Sequence, residues 1–142
     1  MLHEVADDPG SHTPEELHER YEAELAGAVE AHGVEEVAEK SGVEASRLRT
    51  LLDGETPEFT LEEAAAILSV LADAPDAETI AMLVRDDLMM GMSIAVLDVE
   101  AIESGIGGQL EAKEIQSKLE GRFPMKLREL ALLHQFIESK KR

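Results

Sequence analysis

The stretch VEEVAEKSGVEASRLRTLLDGETPEFTLEEAAAILSVL, residues 34 to 71, decides how the chain is read. At helical spacing it predicts a short helix with Val34, Val37 and Ala38 inward, a break at Ser41-Gly42-Val43, and a second short helix with Leu48, Leu51 and Leu52 inward. Gly42 lies where a tight turn needs positive φ, Val43 plugs the corner, and Asp53-Gly54 ends the second helix. Thr60, with Glu63 three residues on, predicts a capping box opening a third helix over the apolar run Ala64 to Leu71.

Upstream, residues 1 to 12 read as a flexible acidic arm, and Thr13-Pro14-Glu15-Glu16 starts a helix with Leu17, Tyr21, Leu25 and Ala28 or Val29 inward. Gly33 ends it. Downstream, Asp73 to Asp76 is a break before a Met-rich helix from Ile80 to Met92, with Gly91 expected to end or kink it. Ser93 to Ser104 is apolar again, and further helices are expected around Glu111 to Glu120 and Leu127 to Ile137. The fold class is therefore all-α: a multi-helix bundle of about seven helices, with a helix-turn-helix unit at 13–73 and a helical C-terminal unit at 74–142.

The second unit echoes the first. Glu111 to Gly121 can be laid on Glu44 to Gly54, and Lys126 to Ala131 then follows as Thr60 to Ala65 does. Val99 to Ile102 and Ser104-Gly105-Ile106 echo Val34 to Val37 and Ser41-Gly42-Val43, with the four residues 107–110 added. This predicts a second, degenerate helix-turn-helix-like repeat.

The 142 residues carry a formal charge of -18, from 31 acidic and 13 basic side chains, yet 44% are hydrophobic and fall at helical spacing. That excludes a disordered acidic chain. At molar salt the Debye length is about 3 Å, so such a surface costs little self-repulsion and keeps the protein hydrated. The balance is uneven: residues 1–112 are net -22 and residues 113–142 net +4, which makes the last fifth a basic tail. There is no cysteine for a disulfide or thiolate site. No membrane span or signal peptide is read, so a cytoplasmic setting is expected.

The residues Val37 to Val43 followed by Leu48 to Gly54 resemble the lambda-repressor-like helix-turn-helix family. That resemblance implies a second helix entering the major groove of double-stranded DNA by its N-terminal end. Glu44, Ala45, Ser46, Arg49 and Thr50 would then face bases or phosphates, with Lys40 and Arg47 beside them. Arg49 is the candidate bidentate reader of guanine. Lys113, Lys118, Arg122, Lys126 and Arg128 are candidate phosphate contacts. The competing expectation is that Arg47 and Arg49 pair with surface acids. Few lysines, many Glu and a small-residue core resemble halophilic archaeal proteins, and the whole chain resembles a haloarchaeal family of unknown function.

Catalytic and metal readings find no support in local spacing. Asp86 and Asp87 leave a helix about 100° apart. His3, His12, His18, His32 and His134 are scattered without a His-x-x-x-His or Glu-x-x-His pattern, and His134 reads as a core-edge residue. No phosphate-binding glycine loop occurs. The expected function is a non-enzymatic DNA-binding transcriptional regulator without a cofactor. The alternative is a helical protein–protein interaction module with no DNA binding. A homodimer would use the Met-rich helix or the C-terminal helices.

Overall fold

The computed structural model describes residues 2–141, and its helix boundaries follow the capping chemistry of the chain. Met1, in the arm, and Arg142, in the basic tail, lie outside the described residues. Helix α1 (Pro14–His32) begins with a full capping box between Thr13 and Glu16 and ends at Gly33, whose φ of 87° no β-branched residue would adopt comfortably. Helices α2 (Val34–Ser41) and α3 (Ala45–Leu52) are joined through Gly42, left-handed at φ 78°. Val43 is buried at that corner. Helix α4 (Leu61–Leu68) starts at the expected Thr60/Glu63 capping box but stops three residues before Leu71.

Helix α5 (Ala77–Ala95) follows Asp76, whose carboxylate accepts from the Thr79 backbone N–H. It continues through Gly91 rather than ending there. Glycine is needed at that point for packing: a Cβ would come within 2.8 Å of Ile137 Cγ2 on the last helix. Helices α6 (Val99–Gly105), α7 (Ala112–Leu119) and α8 (Leu127–Lys140) complete the chain. Among the described residues there are thus eight α-helices, against about seven expected, and no sheet. The extra helix arises because Val96 closes α5 and Asp98 caps a new start, dividing the apolar run after Gly91.

One cluster of buried side chains runs through all eight helices, from Leu17 and Tyr21 on α1 through Val37, Leu48, Ile67 and Ile80 to Ile102, Ile115 and Leu133. Helix α8 lies along α1 and α5, and α4 along α5, so the segments 13–73 and 74–142 share this core. The starts of α4 and α8 meet as well. Thr60 and Lys126 form an antiparallel bridge, with Leu61 N–H donating to Met125 O (2.6 Å) and Leu127 N–H to Phe59 O (2.9 Å).

Two expectations are corrected by packing. Residues 2–12 form two 3-10 turns, Leu2–Glu4 and Pro9–Ser11, instead of a flexible arm. Leu2 is fully buried, and the second turn lies on α8, where Gly10 leaves no room for a Cβ against the Glu138–Ser139 backbone. Leu52, expected inward, is exposed, because α3 turns Leu48 and Leu51 to the core and places Leu52 about 100° further round.

Candidate functional site

The candidate DNA-reading residues lie together around the start of α3, and carboxylates surround them. Arg47 turns toward α4. Its guanidinium pairs with Glu63, donates to Glu58 O (2.9 Å) and stacks 4.7 Å over the Phe59 ring. The hydrogen bond to Glu63 raises the Arg47 pKa. Burial by itself would raise the Glu63 carboxyl, but the Arg47 and Thr60 hydrogen bonds outweigh it and leave it below the usual range. Arg49 points the other way, to Glu35 on α2 at 3.1 Å, and Lys40 sits 3.6 Å from Glu36. Glu44 and Ser46 are exposed, Ala45 and Thr50 half-buried, and the Thr50 hydroxyl donates to Ser46 O (2.9 Å).

The basic C-terminal residues divide between two places. Lys126 (3.9 Å) and Arg128 (2.8 Å) converge on Glu58, on the same loop that receives Arg47. His18 lines the small cavity beside them, and burial followed by the Arg128 charge lowers its pKa. Lys118 pairs with Glu129, Arg122 with Glu120 at 3.1 Å, and Lys113 is exposed on α7. Arg47, Lys126 and Arg128 are therefore brought together, while Arg49, Lys113, Lys118 and Arg122 are not part of that group.

The Met-rich helix, expected as a homodimer surface, borders a groove that local sequence did not show. Helix α5 buries one face yet leaves Met82 (52% exposed), Leu83, Met89, Met90 (64%) and Ile94 in the open. Beside Met82 and Met89 runs a groove of about 660 Å³ between α5 and the end of α7, floored by Ala77, Ala81 and Leu119. Its rim is acidic: Glu62, Glu78, Asp86 and Glu120. Arg85, only 9% exposed, spans its base, donating to Lys118 O (2.8 Å) and pairing with Glu62. It satisfies a C-terminal carbonyl of α7 and ties α4, α5 and α7 together.

A third cluster lies where α1, α5 and α8 meet. His134, 2% exposed, places Nδ1 2.8 Å from the Tyr21 hydroxyl, with the two rings nearly parallel. Burial raises the Tyr21 pKa and lowers that of His134. Glu138 Oε1 stands 3.7 Å from His134 Nε2, and an Asp87 carboxylate oxygen lies within 4.8 Å of a His134 ring nitrogen. The expected divergence of Asp86 and Asp87 holds: one lines the groove, the other faces His134. The His134–Glu138 spacing was visible in sequence, but nothing local linked it to Asp87 on another helix.

Among the described residues no helix is long and apolar enough to cross a membrane. No curated protein and no solved structure matches the chain. A family model does match, over residues 17–140, which spans α1 beyond its first turn through the end of α8. The chain with this groove, these paired cations and this buried histidine belongs to DUF5791, a family of unknown function.

Proposed function

We propose that this protein is a non-enzymatic helical interaction module that takes up an amphipathic, basic helix of a partner protein in the groove between α5 and α7. The observation that carries the reading is the Met-rich outer face of α5, apolar at its centre and acidic at its rim. A helix that is apolar on both faces needs cover on both. Met side chains are unbranched and adapt to varied apolar partners, and a carboxylate rim selects a helix whose apolar stripe is flanked by Lys or Arg. A second copy fits less well, since it would set one carboxylate rim directly against another, at contact distances that salt screens least.

The test is titration of methyl-labelled protein with a synthetic Leu/Lys amphipathic helix, compared with Met82→Ser/Met89→Ser. Both proteins carry the same charge. Methyl shifts centred on Met82 and Met89, lost in the double variant, are expected. Equal binding by the variant would show general attraction to an acidic surface and defeat the reading.

A DNA-binding regulator is the second reading, favoured by left-handed Gly42 between α2 and α3 and by the convergence of Arg47, Lys126 and Arg128. Acids surround those cations, so binding would depend on base contacts more than on phosphate neutralisation, as suits a halophilic cytoplasm. Enrichment from a randomised duplex pool at molar KCl, abolished by Arg49→Ala, would establish it. No enrichment from the folded protein would leave the interaction module alone.

A further inference from the structure

Asp87 on α5 and His134 and Glu138 on α8 each bring one ligand-capable atom to a common point, all within 4.8 Å of one another. His134 and Glu138 are four residues apart and so share one face of α8, and α5 lies along that face. His134 Nδ1 is engaged with the Tyr21 hydroxyl at 2.8 Å, leaving Nε2 as the inward atom. That Nε2 is buried and has no hydrogen-bond partner among the described residues, although Glu138 Oε1 stands 3.7 Å away. In the tautomer that donates from Nδ1 to Tyr21, the buried Nε2 lone pair is free to bind a cation; in the other, Nε2–H finds no acceptor within hydrogen-bond distance among the described residues.

We propose that Asp87, His134 and Glu138 form a divalent transition-metal site of the Zn2+ class that clamps α5 to α8. One imidazole nitrogen and two carboxylates suit Zn2+ and Co2+, whereas Ca2+ and Mg2+ favour all-oxygen sets. Tetrahedral bonds of about 2.0–2.1 Å put ligand atoms about 3.3 Å apart, so the three groups need to close only modestly. Three protein ligands leave one position for water. Tyr21 fixes the His134 ring and tautomer, the role that an outer hydrogen-bond partner plays for a metal-bound histidine.

Other charged groups face the site. Lys141 Nζ holds Glu138 at 2.9 and 2.8 Å from its two oxygens, and is the cation the metal displaces. His3, on the first 3-10 turn, acts electrostatically on His134.

The experiment is titration of the full chain with Co2+ in excess Mg2+, read by visible d–d absorption, followed by Zn2+ calorimetry. Asp87→Asn and Glu138→Gln carry the test, because both residues are half-buried and the exchanges keep shape, with folding checked by circular dichroism. One equivalent with tetrahedral-intensity bands is expected. Each variant should weaken binding about tenfold or more, and Tyr21→Phe by about tenfold. Lys141→Ala should tighten it. Absence of the bands at stoichiometric Co2+ in folded protein would overturn the proposal. So would binding unchanged by Asp87→Asn and Glu138→Gln, which would assign the metal to the general acidic surface.

Discussion

Thr60 and Lys126 face each other as an antiparallel bridge, and they are the two positions that the internal sequence echo places in register. Each caps a helix with a Glu three residues on, Glu63 for α4 and Glu129 for α8. The first-turn N–H groups of a helix have no intrahelical partner. Here Leu61 and Leu127 find theirs across the bridge, in Met125 O and Phe59 O. Amide exchange should therefore be as slow at Leu61 and Leu127 as in the middle of α4. Exchange at the rate of a free helix end would mean that the bridge opens independently of the core.

Glu63 serves both the cap and Arg47. Its carboxylate accepts from the Thr60 backbone N–H (3.0 Å) and pairs with Arg47. Glu63→Ala should cost about 2 kcal/mol, combining a lost cap with a half-buried guanidinium left without its carboxylate and held only by the Glu58 carbonyl and the Phe59 ring. The folded-state pKa of Glu63 lies below the ordinary 4.5. Its contribution is therefore complete above about pH 4.5 and is lost as pH falls through the depressed folded value. Denaturant unfolding of wild type and Glu63→Gln between pH 3 and pH 7 should show the difference narrowing toward acid.

The Tyr21 hydroxyl and His134 Nδ1 form a buried pair linking α1 to α8. Tyr21→Phe keeps the ring and orphans the imidazole nitrogen, so a loss of about 1–2 kcal/mol is expected in metal-free protein. A neutral result by urea unfolding would show that the ring packing alone carries this contact.

Gly105 is helical, so alanine would ordinarily gain up to about 1 kcal/mol there. A Cβ at this position would overlap the Phe136 ring on α8. Overpacking at about 1–3 kcal/mol should win, making Gly105→Ala destabilising. Gly105→Ala/Phe136→Leu should recover most of the loss, and thermal unfolding of the two variants decides it.

Val96 ends α5 at φ 56° with 79% of its surface exposed. A β-branched residue is strained there and contributes little packing. Val96→Gly should stabilise by about 1 kcal/mol, or roughly 3 °C in Tm. An unchanged or lower Tm would show that Val96 contributes packing which outweighs its strain.

The parts of this protein legible in sequence are those written within a few residues. The N-cap at Thr13, the capping box at Thr60, the left-handed Gly42 and the inward stripe of α1 all follow from patterns within a turn or two, so local chemistry was sufficient to place them. The all-α class followed from the same periodicity. Pairings between distant elements were not written there. Leu52 and Leu51 are both leucine, and only the way α3 packs against α1 and α2 decides which is buried. Gly91 read as a breaker, yet the approach of α8 makes it a contact point. Arg47 and Arg49 lie two residues apart on α3, but their partners, Glu63 and Glu35, come from different helices. Local sequence determined most helices and their capped starts because those energies are settled within a turn. Tertiary packing alone decided the groove, the partner of each cation and the meeting of Asp87 with His134, because those depend on which helix faces are pressed together.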